Sequence, residues 1–189
     1  MASERSPRVA LVALLALLAL AFARPAAALE ATATLSFTDD RYTYAQTTTG
    51  VPLCPALLDT LFSMETLREL MSYADTIDVR MDTPTAKIIH VAFRVLGLHG
   101  SVDYLRELDP THGTLRLRML SHAEGGLLPY PTSFQAGYLV THDGAHTRVV
   151  YTQEATTPSR IALPHRVFIQ AQMSRYGDKL TRIIERSCP

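Results

Sequence analysis

The sequence predicts an α+β protein with one strand, two short helices, a series of antiparallel strands and one long C-terminal helix. Three observations support this prediction. Between residues 76 and 155, apolar and polar side chains alternate, which is typical of strands with one buried face. Before this region, and again after residue 163, apolar residues recur every three or four positions, which indicates amphipathic helices. The sequence shows neither an internal repeat nor a second domain.

Residues 1–28 have the pattern of a secretory signal peptide and are not expected to be part of the fold. A short basic segment, residues 3–8, precedes an unbroken apolar run from Val9 to Ala23, and Ala26–Ala28 provides small residues for cleavage. The run is shorter than the roughly 18 apolar residues that span a bilayer; a retained anchor is the alternative. We therefore expect an exported chain of residues 29–189 that forms one domain and is either periplasmic or secreted.

Charge and composition argue against a broad electrostatic interaction with nucleic acid. The 189-residue chain carries 18 basic and 18 acidic residues. Since the proposed signal peptide holds three arginines and one glutamate, the mature chain has a net charge of about −2. A chain of this length buries a substantial core without a framework of metal ions or disulfides, and its composition does not suggest disorder.

The first elements follow from β-formers, chain breakers and a capping residue. Leu29–Thr38 is rich in Thr and Ala and is either an edge strand or a loose arm. Arg41–Thr49 is predicted as a strand because Tyr and Thr favour strands, and three breakers end it, namely Gly50, Pro52 and Pro55. Ala56–Phe62 is then a short helix with one apolar face. Ser63 is placed to cap a second short helix that ends near Ser72.

Six strands are predicted after the two short helices. They are Thr76–Met81, Lys87–Val95, Ser101–Leu108, Thr114–Leu120, Ser133–Thr141 and Thr147–Ala155. The segment Ser121–Thr132 interrupts the alternation with Gly and Pro residues and is predicted as an unusually apolar loop. Asp143-Gly144 is a typical turn pair between the last two strands, so these strands are predicted to form a hairpin.

A long helix is predicted from Pro164 to about Arg186, after a linker at Thr156–Leu163. Its apolar residues are spaced by four and three positions and form one stripe along the helix. The stripe consists of Ile169, Met173, Tyr176, Leu180 and Ile183. The long helix therefore backs the antiparallel sheet.

This order of elements resembles the START-like superfamily, also called SRPBCC or helix-grip. The matching segments are Arg41–Thr49, Pro55–Ser72, the hairpin Thr141–Tyr151 and the helix Pro164–Arg186. The superfamily includes birch-pollen allergen relatives, polyketide cyclases and lipid-transfer START domains. The resemblance implies a curved antiparallel sheet wrapped around the long helix, with an internal cavity between them. Members commonly bind lipids, sterols, quinones or polyketides there, and a few catalyse cyclisation or dehydration.

The leading functional prediction is a monomeric carrier that binds an apolar small molecule without transforming it. The predicted ligand-binding residues follow from the inward phase of the strands and of the helix. They are Ile89, Val91, Phe93, Tyr104, Arg106, Leu117, Phe134, Tyr138, Ile169 and Met173. Two alternatives stay open: a cyclase or dehydratase that uses the same cavity, and a structural or interaction domain with a filled core.

Strong catalytic signatures are not found in the sequence. It contains no G-x-S-x-G elbow, phosphate-binding glycine loop, H-E-x-x-H or C-x-x-C motif. We therefore expect no cofactor, no metal ion and no catalytic residue, and we leave enzymatic activity open as the less favoured possibility.

Arg106 is the polar residue of greatest interest because it falls in phase with apolar neighbours. It either holds the carboxylate or phosphate of a ligand or extends from the strand end to reach water; we favour the second interpretation. Glu154 has the same ambiguity. An acid–base pair built from Arg106, Glu154 or Tyr104 is what an enzyme would require.

The histidines are interpreted as surface groups. His142 and His146 flank the Asp143-Gly144 turn, and we interpret them as parts of an exposed hairpin rather than as metal ligands. His112 and His122 lie in or beside turns. His90 alternates away from Phe93, so it is expected on the outer face of the sheet, unless the strand register is shifted by one residue.

Cys54 and Cys188 are expected to form a disulfide, because exported proteins rarely keep two free thiols. The bridge closes a loop of about 135 residues, which stabilises the fold by up to about 4–5 kcal/mol in the chain-entropy model. Two unrelated thiols are the alternative.

The apolar segment Leu127–Tyr130 follows a pair of glycines that permits movement. It is a lid over a cavity, a tip that makes transient contact with a membrane, or a loop packed onto its own domain. The sequence does not distinguish these three possibilities.

Overall fold

The computed structural model describes residues 29–95, 98–126 and 131–188. The predicted signal peptide and the segment Leu127–Tyr130 lie outside the described residues. The elements in chain order are β1 (Glu30–Phe37), β2 (Arg41–Pro52), α1 (Leu57–Phe62), α2 (Met64–Leu70), β3 (Ala74–Asp82), β4 (Ala86–Val95), β5 (Leu98–Asp109), β6 (Thr114–Gly126), β7 (Ser133–Asp143), β8 (His146–Thr156) and α3 (Leu163–Ser187).

Eight strands form one curved, antiparallel sheet in the order β1-β2-β8-β7-β6-β5-β4-β3. This confirms the predicted α+β class, the two short helices and the long C-terminal helix. α3 packs against β1 and β2 and against both short helices. Lys179 and Arg186 of α3 also contact α2 through the carbonyl oxygen of Glu69 (3.2 Å) and its carboxylate (2.7 Å).

The first two strands differ from the sequence prediction in extent. β1 pairs with β2 along its whole length, from Glu30↔Thr49 to Phe37↔Tyr42, so the Leu29–Thr38 segment contains an edge strand and not a loose arm. β2 continues to Pro52 instead of ending at Gly50. Gly50 has a φ of 75° and lies where the pairing with β8 shifts register, so this β-bulge carries the strand past the glycine.

The loop predicted from Ser121 is wrong for residues 121–126, which belong to β6 and pair with the first half of β5. The pairing shifts register between Met119↔Tyr104 and Ser121↔Asp103, leaving Leu120 as an extra residue. Such a bulge changes the phase of the alternation by one position. The break in the sequence pattern at Ser121 therefore marks a bulge within a strand and not the end of the strand.

The largest of the buried clusters includes the C-terminal half of α3. Leu180, Ile183 and Ile184 have no exposed surface and pack with Leu57 and Leu61 of α1. Burial of each such side chain contributes roughly 1.5–3 kcal/mol to the free energy of folding. This end of the molecule is solid, and it holds α3 against the sheet.

Gly177 lets α3 approach the sheet at a polar contact. Gln46 of β2 donates through Nε2 to the Gly177 carbonyl (3.3 Å) and to the Thr181 hydroxyl (3.1 Å), and it accepts from the Tyr44 hydroxyl (2.7 Å). A Cβ at position 177 would lie 2.6 Å from both Gln46 Oε1 and the Tyr44 hydroxyl. These buried side chains can move only by giving up their hydrogen bonds.

Gly177→Ala is therefore expected to lower the free energy of unfolding by about 1–2 kcal/mol, although alanine is the better helix former by nearly 1 kcal/mol. Urea denaturation followed by circular dichroism measures the change. Gln46→Ala removes one of the two obstructing atoms, so Gly177→Ala should cost less in that background. An equal cost in both backgrounds would contradict this explanation.

Candidate functional site

A cavity of about 230 Å³ lies between the N-terminal half of α3, the inner face of the sheet and α2. The apolar stripe of α3 divides at this point. Leu180 and Ile183 are fully buried in the core, whereas Ile169, Met173 and Tyr176 are only partly buried and line the cavity. One end of the helix thus closes the core, and the other end covers an internal space.

Eight of the ten predicted ligand-binding residues lie in the cavity wall. They are Phe93, Tyr104, Arg106, Leu117, Phe134, Tyr138, Ile169 and Met173. The remaining two, Ile89 and Val91, lie in the solid core, with 0% and 1% of their surface exposed. They pack in one cluster with Leu67 of α2 and with Met71, the residue directly after α2. Leu67 and Met71 form the cavity wall in this region instead.

The prediction omitted much of the wall. The additional residues are Tyr42, Leu67, Leu70, Met71, Tyr73, Leu115, Pro131, Tyr151, Gln153, Thr157, Ile161, His165, Phe168, Gln172 and Tyr176. A signal for part of this set was present in the sequence. Tyr42, Tyr151 and Gln153 follow the alternation of β2 and β8, whose inward residues are buried.

Buried hydroxyl and amide groups form a network along one side of the cavity. The Tyr151 hydroxyl donates to Gln153 Oε1 (2.7 Å), and Gln153 Nε2 donates to the Tyr42 hydroxyl (2.8 Å). The Tyr138 and Tyr176 hydroxyls form a hydrogen bond with each other. The ring of Tyr151 stacks on that of Tyr176, with centroids 4.7 Å apart, and lies 4.8 Å from that of Tyr138.

Burial keeps these phenols protonated. It raises the pKa of Tyr138 to about 12, against the opposing effects of the bond to Tyr176 and the charge of Arg106. Burial likewise raises the pKa of Tyr42, Tyr151 and Tyr176 above the ordinary value. At neutral pH, this side of the cavity therefore presents hydroxyl donors and no phenolate.

Arg106 does not extend to water, so the interpretation favoured from the sequence is wrong. Only 3% of its surface is exposed. Its Nη2 and Nη1 donate to the carbonyl oxygens of Leu61 (2.8 Å) and Phe62 (3.0 Å) at the end of α1, and its guanidinium lies 5.3 Å from the centre of the Phe62 ring. Burial lowers its pKa from the ordinary value, and a buried arginine still remains charged.

An acid–base pair of Arg106 with Glu154 is not formed. Glu154 lies on the outer face of β8 and is bonded to Arg41 at 3.3 Å, whereas its neighbour Gln153 points inward. Tyr104 lies in the cavity wall beside Phe134, with ring centroids 5.4 Å apart. Among the described residues, no carboxylate lines the cavity, and His165 is the imidazole in its wall.

The other histidines lie outside the cavity wall. His90 is on the outer face of β4, where Nδ1 lies 2.8 Å from Asp103, and Ser121 donates to the other oxygen of this carboxylate (2.7 Å). The Ser121 bond is the main reason that the pKa of Asp103 is low. His142 contacts the Thr147 hydroxyl at 3.0 Å. In the described part of the chain, no three His, Cys, Asp or Glu side chains form a group that could hold a metal ion.

Solved structures similar to this chain share its architecture. The Zhui aromatase/cyclase from Streptomyces sp. R1128 has a TM-score of 0.55 at 14% identity, covering 84% of this chain and 94% of that chain. Ara h 8.0201 has a TM-score of 0.54 at 10% identity, covering 77% and 99% respectively. The chain has the helix-grip fold.

A third helix-grip structure is the di-domain ARO/CYC StfQ from the steffimycin biosynthetic pathway. Its TM-score is 0.60 at 10% identity, over 79% of this chain, which spans about half (51%) of the StfQ chain. At these identities the shared property is the fold. Neither a protein-family model nor a curated protein sequence matches the chain.

In this helix-grip chain, a disulfide links the C-terminal end of α3 to the segment between β2 and α1. Cys188, directly after α3, is bonded to Cys54, between β2 and α1, as predicted. The same stretch leads into α1, whose last carbonyl oxygens hold Arg106. The bridge therefore anchors the solid end of the molecule next to the residues that position the buried charge. No helix among the described residues has the length and hydropathy to cross a bilayer.

Proposed function

We propose that this chain is an exported protein that binds an apolar small molecule in the cavity between α3 and the sheet, without transforming it. The observation that supports it is the cavity itself, at the position where the helix stripe separates from the core. In a domain with a filled core, Ile169, Met173 and Tyr176 of α3 would instead pack directly against the inner face of the sheet. The export is inferred from the sequence of residues 1–28 and from the disulfide.

The physical argument for binding rests on the cavity wall. Leu115, Leu117, Ile161, Ile169 and Met173 supply aliphatic surface, and the aromatic rings surround it. Apolar cavities of about 150 Å³ stay dry and take up small apolar molecules. Each methylene group transferred from water into such a site contributes about 0.8 kcal/mol. A ligand that fills the cavity therefore gains van der Waals contacts with this wall.

A cyclase or dehydratase is the second candidate. Arg106 and the hydroxyls of Tyr138 and Tyr176 are donors that could polarise a carbonyl oxygen in a low-dielectric site. A base would also be needed, and His165 is the candidate imidazole in the wall. We favour binding because the described wall lacks a carboxylate. The monomeric state and a membrane contact through Leu127–Tyr130 stay predictions from the sequence.

Intrinsic tyrosine fluorescence provides the test. The chain has eight tyrosines and no tryptophan, and six of the tyrosines line the cavity, namely Tyr42, Tyr73, Tyr104, Tyr138, Tyr151 and Tyr176. Titration of residues 29–189 with 1-dodecanol is expected to change the emission saturably at one equivalent. Extraction of the protein from its native host should release one stoichiometric apolar compound by mass spectrometry.

Two results would contradict the proposal. The first is an empty extract together with no saturable change in emission. The second is recovery of 1-dodecanol and of the extracted compound in altered form after incubation, because a carrier returns its ligand unchanged. That second outcome would favour the enzymatic candidate.

A further inference from the structure

The cavity contains a positive charge that no side chain in its described wall neutralises. Only 3% of the surface of Arg106 is exposed, and it forms no ion pair with any side chain in the described part of the chain. Buried arginines are almost always paired with an anion. The carbonyl oxygens of Leu61 and Phe62 and the ring of Phe62 offset part of the charge, but they are neutral groups. A bound anionic molecule would supply the missing negative charge.

The donors left on Arg106 are suited to a carboxylate. A guanidinium has five N–H groups, and the two carbonyl oxygens accept from one each of Nη1 and Nη2. The remaining N–H groups form part of the planar fork that binds a carboxylate with two parallel hydrogen bonds. Since Arg106 lines the cavity, this fork is available to a molecule that enters it.

A second set of donors lies close to Arg106. Arg106 is paired with Leu117 of β6, and Leu115, two residues away on the same face of β6, is paired with Tyr138 of β7. The Tyr138 hydroxyl is bonded to that of Tyr176. Two hydroxyl groups carry two protons, and their mutual hydrogen bond uses one of them. The Tyr176 hydroxyl also interacts with that of Tyr151, so the proton left for an oxygen atom of a ligand is that of Tyr138, with Tyr176 donating to Tyr138. The polar end of the cavity therefore combines a cation with a hydroxyl donor and contains no described anion.

The remainder of the wall fits a hydrocarbon. Apolar side chains supply most of the remaining surface, among them Leu115, Leu117, Phe134, Ile169 and Met173. A ligand that complements both regions has one anionic group at one end and an apolar body.

We propose that the ligand is a monocarboxylic acid with a hydrocarbon body, whose carboxylate binds Arg106 and the Tyr138–Tyr176 pair. This inference rests on the proposed binding function and specifies the ligand class for the same site. It differs from binding of any apolar molecule because it requires a preference for the acid over neutral molecules of equal length.

The test compares three probes with the same chain, namely dodecanoic acid, 1-dodecanol and methyl dodecanoate, at pH 8 by tyrosine fluorescence and calorimetry. We expect dodecanoate to bind at least about 10-fold more tightly than either neutral probe, because charge-assisted hydrogen bonds to Arg106 are roughly twice as strong as neutral ones. Equal affinities would overturn the inference and leave the proposed binding function intact. If none of the three binds, the binding function itself fails.

Substitutions of Arg106, Tyr138 and Tyr176 test whether these side chains cause the preference for dodecanoate over the neutral probes. Arg106→Met should remove the preference for dodecanoate, while 1-dodecanol still binds. Tyr176→Phe should weaken dodecanoate binding several-fold and 1-dodecanol binding much less. Arg118→Met is the matched control because Arg118 lies on the exposed face of β6, where it pairs with Glu107 at 3.8 Å; it should retain the full preference. If Arg106→Met does not fold, the Tyr176→Phe variant and the three-probe comparison with the unchanged protein still test the preference for a carboxylate. An unchanged preference in Tyr176→Phe and Tyr138→Phe would contradict a role for the hydroxyl pair.

Discussion

Replacing both cysteines of the disulfide, Cys54→Ala with Cys188→Ala, is expected to lower the free energy of unfolding by about 3–5 kcal/mol. The bridge joins residues 134 positions apart, so it removes much conformational freedom from the unfolded chain. It also holds the end of α3, where Ile183 and Ile184 are fully buried. Urea denaturation of residues 29–189, followed by circular dichroism, measures the change.

Reduction of the unchanged protein provides the control for this prediction. The reduced protein should unfold close to the midpoint of the double variant, because both lack the same cross-link. A loss below about 1 kcal/mol in both cases would mean that the unfolded chain remains compact without the bridge, and the entropic argument would then be wrong for this chain.

Leu117→Trp is expected to weaken the binding of 1-dodecanol by at least about 10-fold. Leu117 lies in the cavity wall on β6, and the indole ring of a tryptophan there would occupy part of the cavity volume of about 230 Å³. Exclusion of two methylene groups at about 0.8 kcal/mol each accounts for a change of this size. The cost in stability should stay near or below the lower end of the roughly 1–3 kcal/mol seen for overpacked cores, because the ring enters empty space. Calorimetric titration measures the affinity.

Leu120→Trp is the matched control for this substitution. Leu120 is on the same strand but is 43% exposed, so the same change there should leave the affinity within about twofold of the original value. If Leu117→Trp binds as tightly as the unchanged protein while remaining folded, the cavity is not the binding site. A loss of binding in both variants would point to a general disturbance of β6.

The outcomes for individual elements show what local patterns can predict. Alternation identified the inward faces of β4 to β8 because a strand has a period of two, whatever lies above it. Thus Phe93, Tyr104, Phe134 and Tyr138 were placed on the correct side of the sheet. Alternation failed at Leu120, where a bulge shifts the phase within β6. A bulge depends on how two strands pair, and the sequence of one strand does not show how it pairs with its neighbour.

In the site, the sequence pattern indicates which face of the strand a residue lies on, whereas tertiary contacts determine how its side chain is oriented. Arg106 faces inward by its phase, but its orientation depends on two carbonyl oxygens that are 44 and 45 residues away in the sequence. Glu154 and Gln153 are adjacent, and the phase of β8 decides which of them lines the cavity. A shift of one residue would have exchanged their roles.

The sequence by itself determined the order of the elements, the inward face of most strands, the apolar stripe of α3 and the pairing of the two cysteines. These features depend on local periodicity, turn residues and the number of cysteines. The tertiary structure alone decided which inward residues became solid core and which became cavity wall. Ile89 and Phe93 share one face of β4, yet only Phe93 borders the cavity. The reason is that a cavity forms where packed elements separate, and that separation depends on how α2 and α3 together cover the sheet.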